Sequence, residues 1–352
     1  MRFDYGIGIL GTGHALGSRV HTNEELCSTT LTSTTPEWIV EKTGIRRRYL
    51  VAGDESASSL SLTAARGALQ AAGIAPEELG IIIVCTFSGD YLYPPVSAKL
   101  HRDLGAKGTQ VFDIQANCAG FVTALTAASD RMFLDPEVRY ALVVGTEILS
   151  PYVDWSDIET AIYFSDGAGA AVLGRVAVGR GIQASAFTTD TANYESVRLR
   201  GGGSRFPYAQ GCSDKSGERS LGYMEMNGLA TWKQAVTHLP TTVRRACEKA
   251  GIAPAEVDHF IFHQANLHII QYTMQKMRIP VQRSFTNVQE IGNTGAASIP
   301  IALSEAVRAG IIGEGQKVVM AGVGAGFNFG ASVWVWDAST AGCGSTPAGR
   351  VP

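Results

Sequence analysis

Short blocks of consecutive apolar residues recur along this chain, each closed by small or polar residues and followed by stretches in which apolar positions return every three or four residues. The blocks at 81–84, 140–145 and 260–262 have the continuous apolar character of strands buried on both faces, and the spaced stretches have that of amphipathic helices. Residues 58–72 carry the helical spacing and Gly73 stops it. Thr35-Pro36-Glu37 opens another helix, which ends at Gly44. The run Val111-Phe112-Asp113-Ile114-Gln115-Ala116-Asn117-Cys118 leads into Phe121, Val122, Ala124, Leu125 and Ala128, which places Cys118 where a strand becomes a helix. Residues 165–173 read as a turn feeding an inner strand. Ile7-Gly8-Ile9-Leu10-Gly11-Thr12-Gly13 reads as a strand ending in a tight glycine turn; its GxxGxG spacing resembles a nucleotide loop but lacks the helix that such a loop opens.

The pattern repeats. Ala71-Ala72-Gly73-Ile74-Ala75-Pro76 returns as Lys249-Ala250-Gly251-Ile252-Ala253-Pro254, an offset of 178 residues, and at nearly the same offset the Cys118 helix matches the helix after Asn293. A repeat this long predicts two similar α/β halves, 1–178 and 179–338, rather than solenoid units. Between them, residues 200–219 are polar and glycine-rich and predict a mobile surface excursion, and 339–352 read as a flexible tail.

Composition narrows the class. Apolar residues make up 45% and charged residues 17% of the chain, the balance of a folded protein rather than a disordered one. A formal net charge of −3 leaves no basic footprint for nucleic acid. No apolar run approaches the roughly 20 residues of a membrane span, and the start lacks a signal-peptide core, so a cytoplasmic setting is expected. The six cysteines (27, 85, 118, 212, 247 and 343) form no CxxC pair and lie near no histidine at ligand spacing, so thiols and no metal site are expected.

Three polar loops follow apolar strands: Asn117-Cys118-Ala119-Gly120, His263-Gln264-Ala265-Asn266 and Gly292-Asn293-Thr294. The pseudo-repeat brings them to one end of the sheets, so a thiol, an imidazole and a carboxamide converge. A helix N-terminus favours the thiolate, which predicts that Cys118 is a nucleophile near neutral pH. The three arginines Arg46, Arg47 and Arg48 read either as a solvated edge or as partners of an anionic ligand.

These loops, with Glu37-Trp38-Ile39-Val40, Thr43-Gly44-Ile45-Arg46, Asp166-Gly167-Ala168-Gly169-Ala170 and Gly324-Ala325-Gly326-Phe327, resemble the thiolase-superfamily condensing enzymes, specifically β-ketoacyl-ACP synthase III and its relatives. The resemblance implies a five-layered α-β-α-β-α core. It implies that Cys118 carries the acyl group, that the amides of Cys118 and Gly326 form the oxyanion hole, and that His263 and Asn293 stabilise the enolate from a malonyl thioester. It further implies a pantetheine tunnel near Trp38, Gly228, Trp232 and Asn266 with Lys42 and Lys233 at its mouth. Tyr93 would reach across a homodimer into the acyl pocket. Acyl-CoA, malonyl-CoA or malonyl-carrier protein, and an acyl carrier protein are the implied partners, with no cofactor beyond the thioester substrates. Trp38 and Trp232 also fit as ordinary core aromatics. Ile158, Lys42 and His268 stand where the fatty-acid enzymes carry arginine, which points to polyketide or other secondary metabolism. The alternative is a type III-like acyltransferase that hands the acyl group to a hydroxyl or amine, with His263 as general base.

Overall fold

The structure, a computed structural model, describes residues 3–207 and 221–337. Its strands in chain order are β1 (Gly6–Leu16), β2 (Arg19–Thr22), β3 (Arg47–Leu50), β4 (Leu79–Cys85), β5 (Gln110–Ile114), β6 (Tyr140–Glu147) and β7 (Gly167–Val176). The second half continues with β8 (Gly181–Thr189), β9 (Val197–Leu199), β10 (Met224–Met226), β11 (His259–Phe262), β12 (Ser284–Phe285), β13 (Lys317–Gly324) and β14 (Asn328–Val335).

Two five-stranded sheets have the same design. The first runs β1-β7-β6-β4-β5 and the second β8-β14-β13-β11-β12. In each, the first three neighbours pair antiparallel and the last three parallel. The helices Gly120–Leu134 and Ser298–Arg308, which occupy equivalent places 178 residues apart, lie between the sheets. Phe121, Leu125, Ile299, Leu303, Ile83, Met320 and Trp334 form the core there. Helices Ala57–Ala72 and Val96–Leu104 cover the outer face of the first sheet, and Gly228–Lys249 and Leu267–Met277 that of the second, which completes five layers.

Local chemistry explains the helix ends. Thr35 caps the helix Pro36–Thr43 through its hydroxyl on the Trp38 amide, and Gly44 closes it at φ +80. The tight turn expected at residues 11–13 does not form. β1 runs straight through, and the glycines serve close packing instead: a Cβ at Gly11 would lie 2.4 Å from the Ala68 carbonyl oxygen, and one at Gly13 2.3 Å from that of Ala64. The arginine triplet divides: Arg46 and Arg47 lie on the solvated edge expected, and Arg48 alone is internal. Arg46 and Arg47 pair with Glu290 of the second half. Arg48 is fully buried and donates to Asn23 Oδ1 at 2.9 Å and the Ile162 carbonyl at 2.6 Å. Of the 200–219 excursion, Gly201 is tied to the Leu221 carbonyl at 2.7 Å; residues 208–220 and the tail at 339–352 lie outside the described residues.

Candidate active site

The strand β5 ends at Ile114, and Asn117-Cys118-Ala119 makes one 3-10 turn before the helix Gly120–Leu134 begins. Asn117 takes a left-handed φ of 48, a conformation asparagine tolerates, and its carboxamide nitrogen donates to the Ala325 carbonyl at 2.9 Å. The turn thus rests on the second half. A Cβ at Gly322 of β13 would lie 2.9 Å from the Cys118 carbonyl oxygen, and one at Gly324 would lie 2.4 Å from that of Ala116. From the other side, the Gly295–Ala297 turn approaches closely enough that a Cβ on Gly145 would sit 2.4 Å from the Ala296 oxygen.

His263 directly follows β11. Its amide donates to the Ala321 carbonyl at 2.8 Å, and its Nδ1 lies 2.6 Å from Ser298 Oγ. Burial pushes the imidazole down to about 3, so it is neutral at physiological pH. Asn293 is held by the first half: its amide donates to the Tyr163 carbonyl and its own carbonyl accepts from Ser165, both at 2.9 Å. The Gly295 amide donates to Asn293 Oδ1 at 2.9 Å, which fixes the carboxamide with Nδ2 left to donate elsewhere. The three loops therefore meet at the seam between the sheets.

Cys118 is partly exposed, and its thiol is pushed up to about 12, first by burial and then by the nearby Glu147. This corrects the expectation of a thiolate at the helix N-terminus. Raising the thiol from 9.0 to about 12 corresponds to roughly 4 kcal/mol, against the ~0.3–2 kcal/mol a helix N-terminus supplies. Glu147, at the end of β6, went unread in the sequence. Its carboxyl is fully buried; Oε2 accepts from Thr86, the Phe87 amide and Ser88, while Oε1 has no partner among the described residues. Burial pushes it up to about 8. The available signal was an acidic residue closing an apolar strand at the same sheet end as Cys118.

A cavity of about 230 Å³ is lined by Trp38, Lys42, Ile158, Glu159, Ile162, Tyr163, Trp232 and Asn266. Gly228 adjoins it, since a Cβ there would come 3.2 Å from Glu159 Oε2. Lys233 is exposed one residue beyond Trp232 and does not line the cavity, and Tyr93 is 84% exposed and stands apart from it. Gly326, at φ +127, borders open space: a Cβ there would meet nothing within 4 Å. Among the described residues no group of three or more His, Cys, Asp or Glu is placed to hold a metal.

Comparison with known proteins places this arrangement. Residues 112–191 match the family 3-Oxoacyl-[acyl-carrier-protein (ACP)] synthase III, and residues 247–336 match its C-terminal counterpart. A β-ketoacyl-[acyl-carrier-protein] synthase III of Bordetella petrii is 40% identical over 325 residues, 92% of this chain and 95% of the relative. The chain belongs to the β-ketoacyl-[acyl-carrier-protein] synthase III family. A synthase III of Methylococcus capsulatus is 41% identical over 92% of this chain and 97% of the relative. The crystal structure of the Aquifex aeolicus synthase III superposes with a TM-score of 0.84 at 36% identity, covering 94% of this chain and all of that one. The priming β-ketosynthase of the R1128 polyketide pathway gives a TM-score of 0.87 at 31% identity, covering 96% and 98%. The synthase III fold is thus the thiolase-like one, and the chain is a condensing enzyme of that family. Among the described residues no helix is long and apolar enough to cross a membrane.

Proposed function

We propose that the chain joins two thioesters by decarboxylative Claisen condensation. An acyl group moves to Cys118: the Sγ–acyl bond forms, the donor's C–S bond breaks, and the thiol proton leaves with the donor sulfur. A malonyl thioester then loses CO2, and the electron pair of the broken C–C bond becomes an enolate that attacks the acyl carbon and releases the Cys118 sulfur as a thiolate, which takes up a proton from water to restore the thiol. The amides of Cys118 and Gly326 serve as oxyanion donors, and His263 with Asn293 holds the enolate oxygen. The observation that carries this reading is that His263 is held neutral and the Asn293 carboxamide is fixed through its oxygen, which leaves two uncharged nitrogen groups to donate: decarboxylation needs donors at the carbonyl and no base to remove a proton. The bonds made and broken balance without a redox partner.

The proposed seat of the thioester arm is the Trp38–Trp232–Asn266 cavity, beside Gly228, with Lys42 in its lining; an acyl-CoA or carrier-bound donor and a malonyl-CoA or malonyl-carrier extender are the proposed substrates. Polyketide or other secondary-metabolite assembly is the favoured setting. Supporting it, Ile158 brings no charge to the cavity, Lys42 is paired with Glu41 at 3.2 Å, and His268 Nε2 is occupied by the Glu41 carbonyl at 2.7 Å. A cytoplasmic homodimer is proposed, supported by free cysteines and by the adjacent Tyr91, Leu92 and Tyr93, exposed by 69%, 80% and 84%.

Intact-mass measurement against a panel of acyl thioesters, followed by malonyl thioester, tests the reading. An adduct on the wild type but not on Cys118→Ala, CO2 release, and a loss of about 100-fold in decarboxylation for Asn293→Ala are expected. An adduct discharged only to hydroxyls or amines, without CO2, would replace condensation by acyl transfer.

A further inference from the structure

The hydroxyl of Ser298 sits at a junction that the chemistry above leaves unused. Ser298 is 2% exposed, at the first residue of the helix Ser298–Arg308. Its Oγ accepts a hydrogen bond from the Gln264 amide at 3.2 Å and lies 2.6 Å from His263 Nδ1. A hydroxyl has one proton to give. Among the described residues no carbonyl or carboxylate accepts it, so Nδ1 is its remaining acceptor. Were Nδ1 to carry hydrogen, two donors would meet at Oγ and a buried hydroxyl proton would be stranded, which buried polar groups rarely tolerate.

We infer that Ser298 is a positioning residue for condensation: its hydroxyl donates to His263 Nδ1 and so keeps the imidazole hydrogen on Nε2. This rests on the condensation reading and deepens it. Nε2 has no protein partner among the described residues, yet is not one of the buried orphaned nitrogens, so it keeps contact with the open site. Hydrogen on Nε2 makes His263 a donor to the malonyl carbonyl, and the same tautomer cannot take a proton from an incoming hydroxyl at that atom. The low basicity imposed by burial keeps the ring neutral, as the tautomer requires. Ser298 thus selects between a donor and a base at one nitrogen.

The test combines spectroscopy with two rate measurements on the full chain. In the wild type labelled with 15N-histidine at pH 7, the His263 signals, identified by their loss in His263→Ala, should show a pyridine-type Nδ1 and a protonated Nε2. In Ser298→Ala, decarboxylation of malonyl thioester should fall at least about tenfold more than acylation of Cys118, in kcat more than in KM, and Ser298→Thr should restore it. A protonated Nδ1 in the wild type overturns the inference, as does a Ser298→Ala enzyme that loses both steps equally or neither. If the wild type acylates Cys118 but releases no CO2, the condensation reading fails, and the nitrogen signals alone decide the role of Ser298.

Discussion

At Cys118 three effects compete for the thiol proton: burial and the Glu147 carboxyl hold it on, while a hydrogen bond from its own backbone amide pulls it off. Glu147 ionises only near pH 8, so its charge acts on the thiol above that pH. Glu147→Gln, which keeps the shape and the accepting oxygen, should lower the pKa of Cys118 alkylation by iodoacetamide, with the difference from wild type growing above pH 8. The same substitution has a stability signature. The folded chain retains a proton on Glu147 that the unfolded chain loses above about pH 4.5. This contribution is complete below that pH and is lost as pH rises through about 8, with a slope of at most about 1.4 kcal/mol per pH unit. Thermal melts from pH 4.5 to 8 should therefore fall more steeply for wild type than for Glu147→Gln; parallel profiles would refute the burial of a neutral carboxyl. Cys118 and His263 stand out along the chain because each follows an apolar strand run with a residue whose chemistry is conspicuous; Asn293 follows the short helix Val288–Ile291 and not the strand expected there. Glu147 and Ser298 give a weaker signal, because a glutamate or serine at a strand or helix end is ordinary until its neighbours in space are known.

Among the secondary elements, glycines separate packing from function. Gly13→Ala would drive a Cβ into the backbone of the helix Ala57–Ala72 at two points, 2.3 Å from Ala64 O and 2.6 Å from Ala68 N. It should cost several kcal/mol, of the order of overpacking at about 1–3 kcal/mol or more, and lower the melting temperature. Gly322→Ala meets the Cys118 carbonyl at 2.9 Å and the movable end of Ile299 at 3.1 Å. That protein should fold, yet acylate Cys118 ten- to roughly 100-fold more slowly, because the nucleophile turn is displaced. Equal melting and equal acylation in both variants would show that these contacts relax freely. The run around Gly11 and Gly13 misleads as a sequence because a glycine that ends a strand and a glycine that admits a crossing helix look alike along the chain. Only the helix from the next segment distinguishes them.

For the whole molecule, the proposed homodimer makes a measurable claim. Three large apolar side chains project next to one another from the loop after β4, a concentration that an isolated surface seldom carries. Leu92→Glu should turn dimer into monomer in sedimentation at micromolar protein, and Tyr93→Ala should leave the dimer intact while broadening the range of acyl chains accepted. A monomeric wild type would remove the basis for both. The repeat in the sequence foretold two sheets, but the contacts that lock them, Asn117 on Ala325 and Asn293 between Tyr163 and Ser165, join residues more than a hundred positions apart that no local pattern links. The thiol belongs to one half and the two nitrogen groups to the other, so in the proposed reaction a shear between the halves would change the rate without touching a reacting atom.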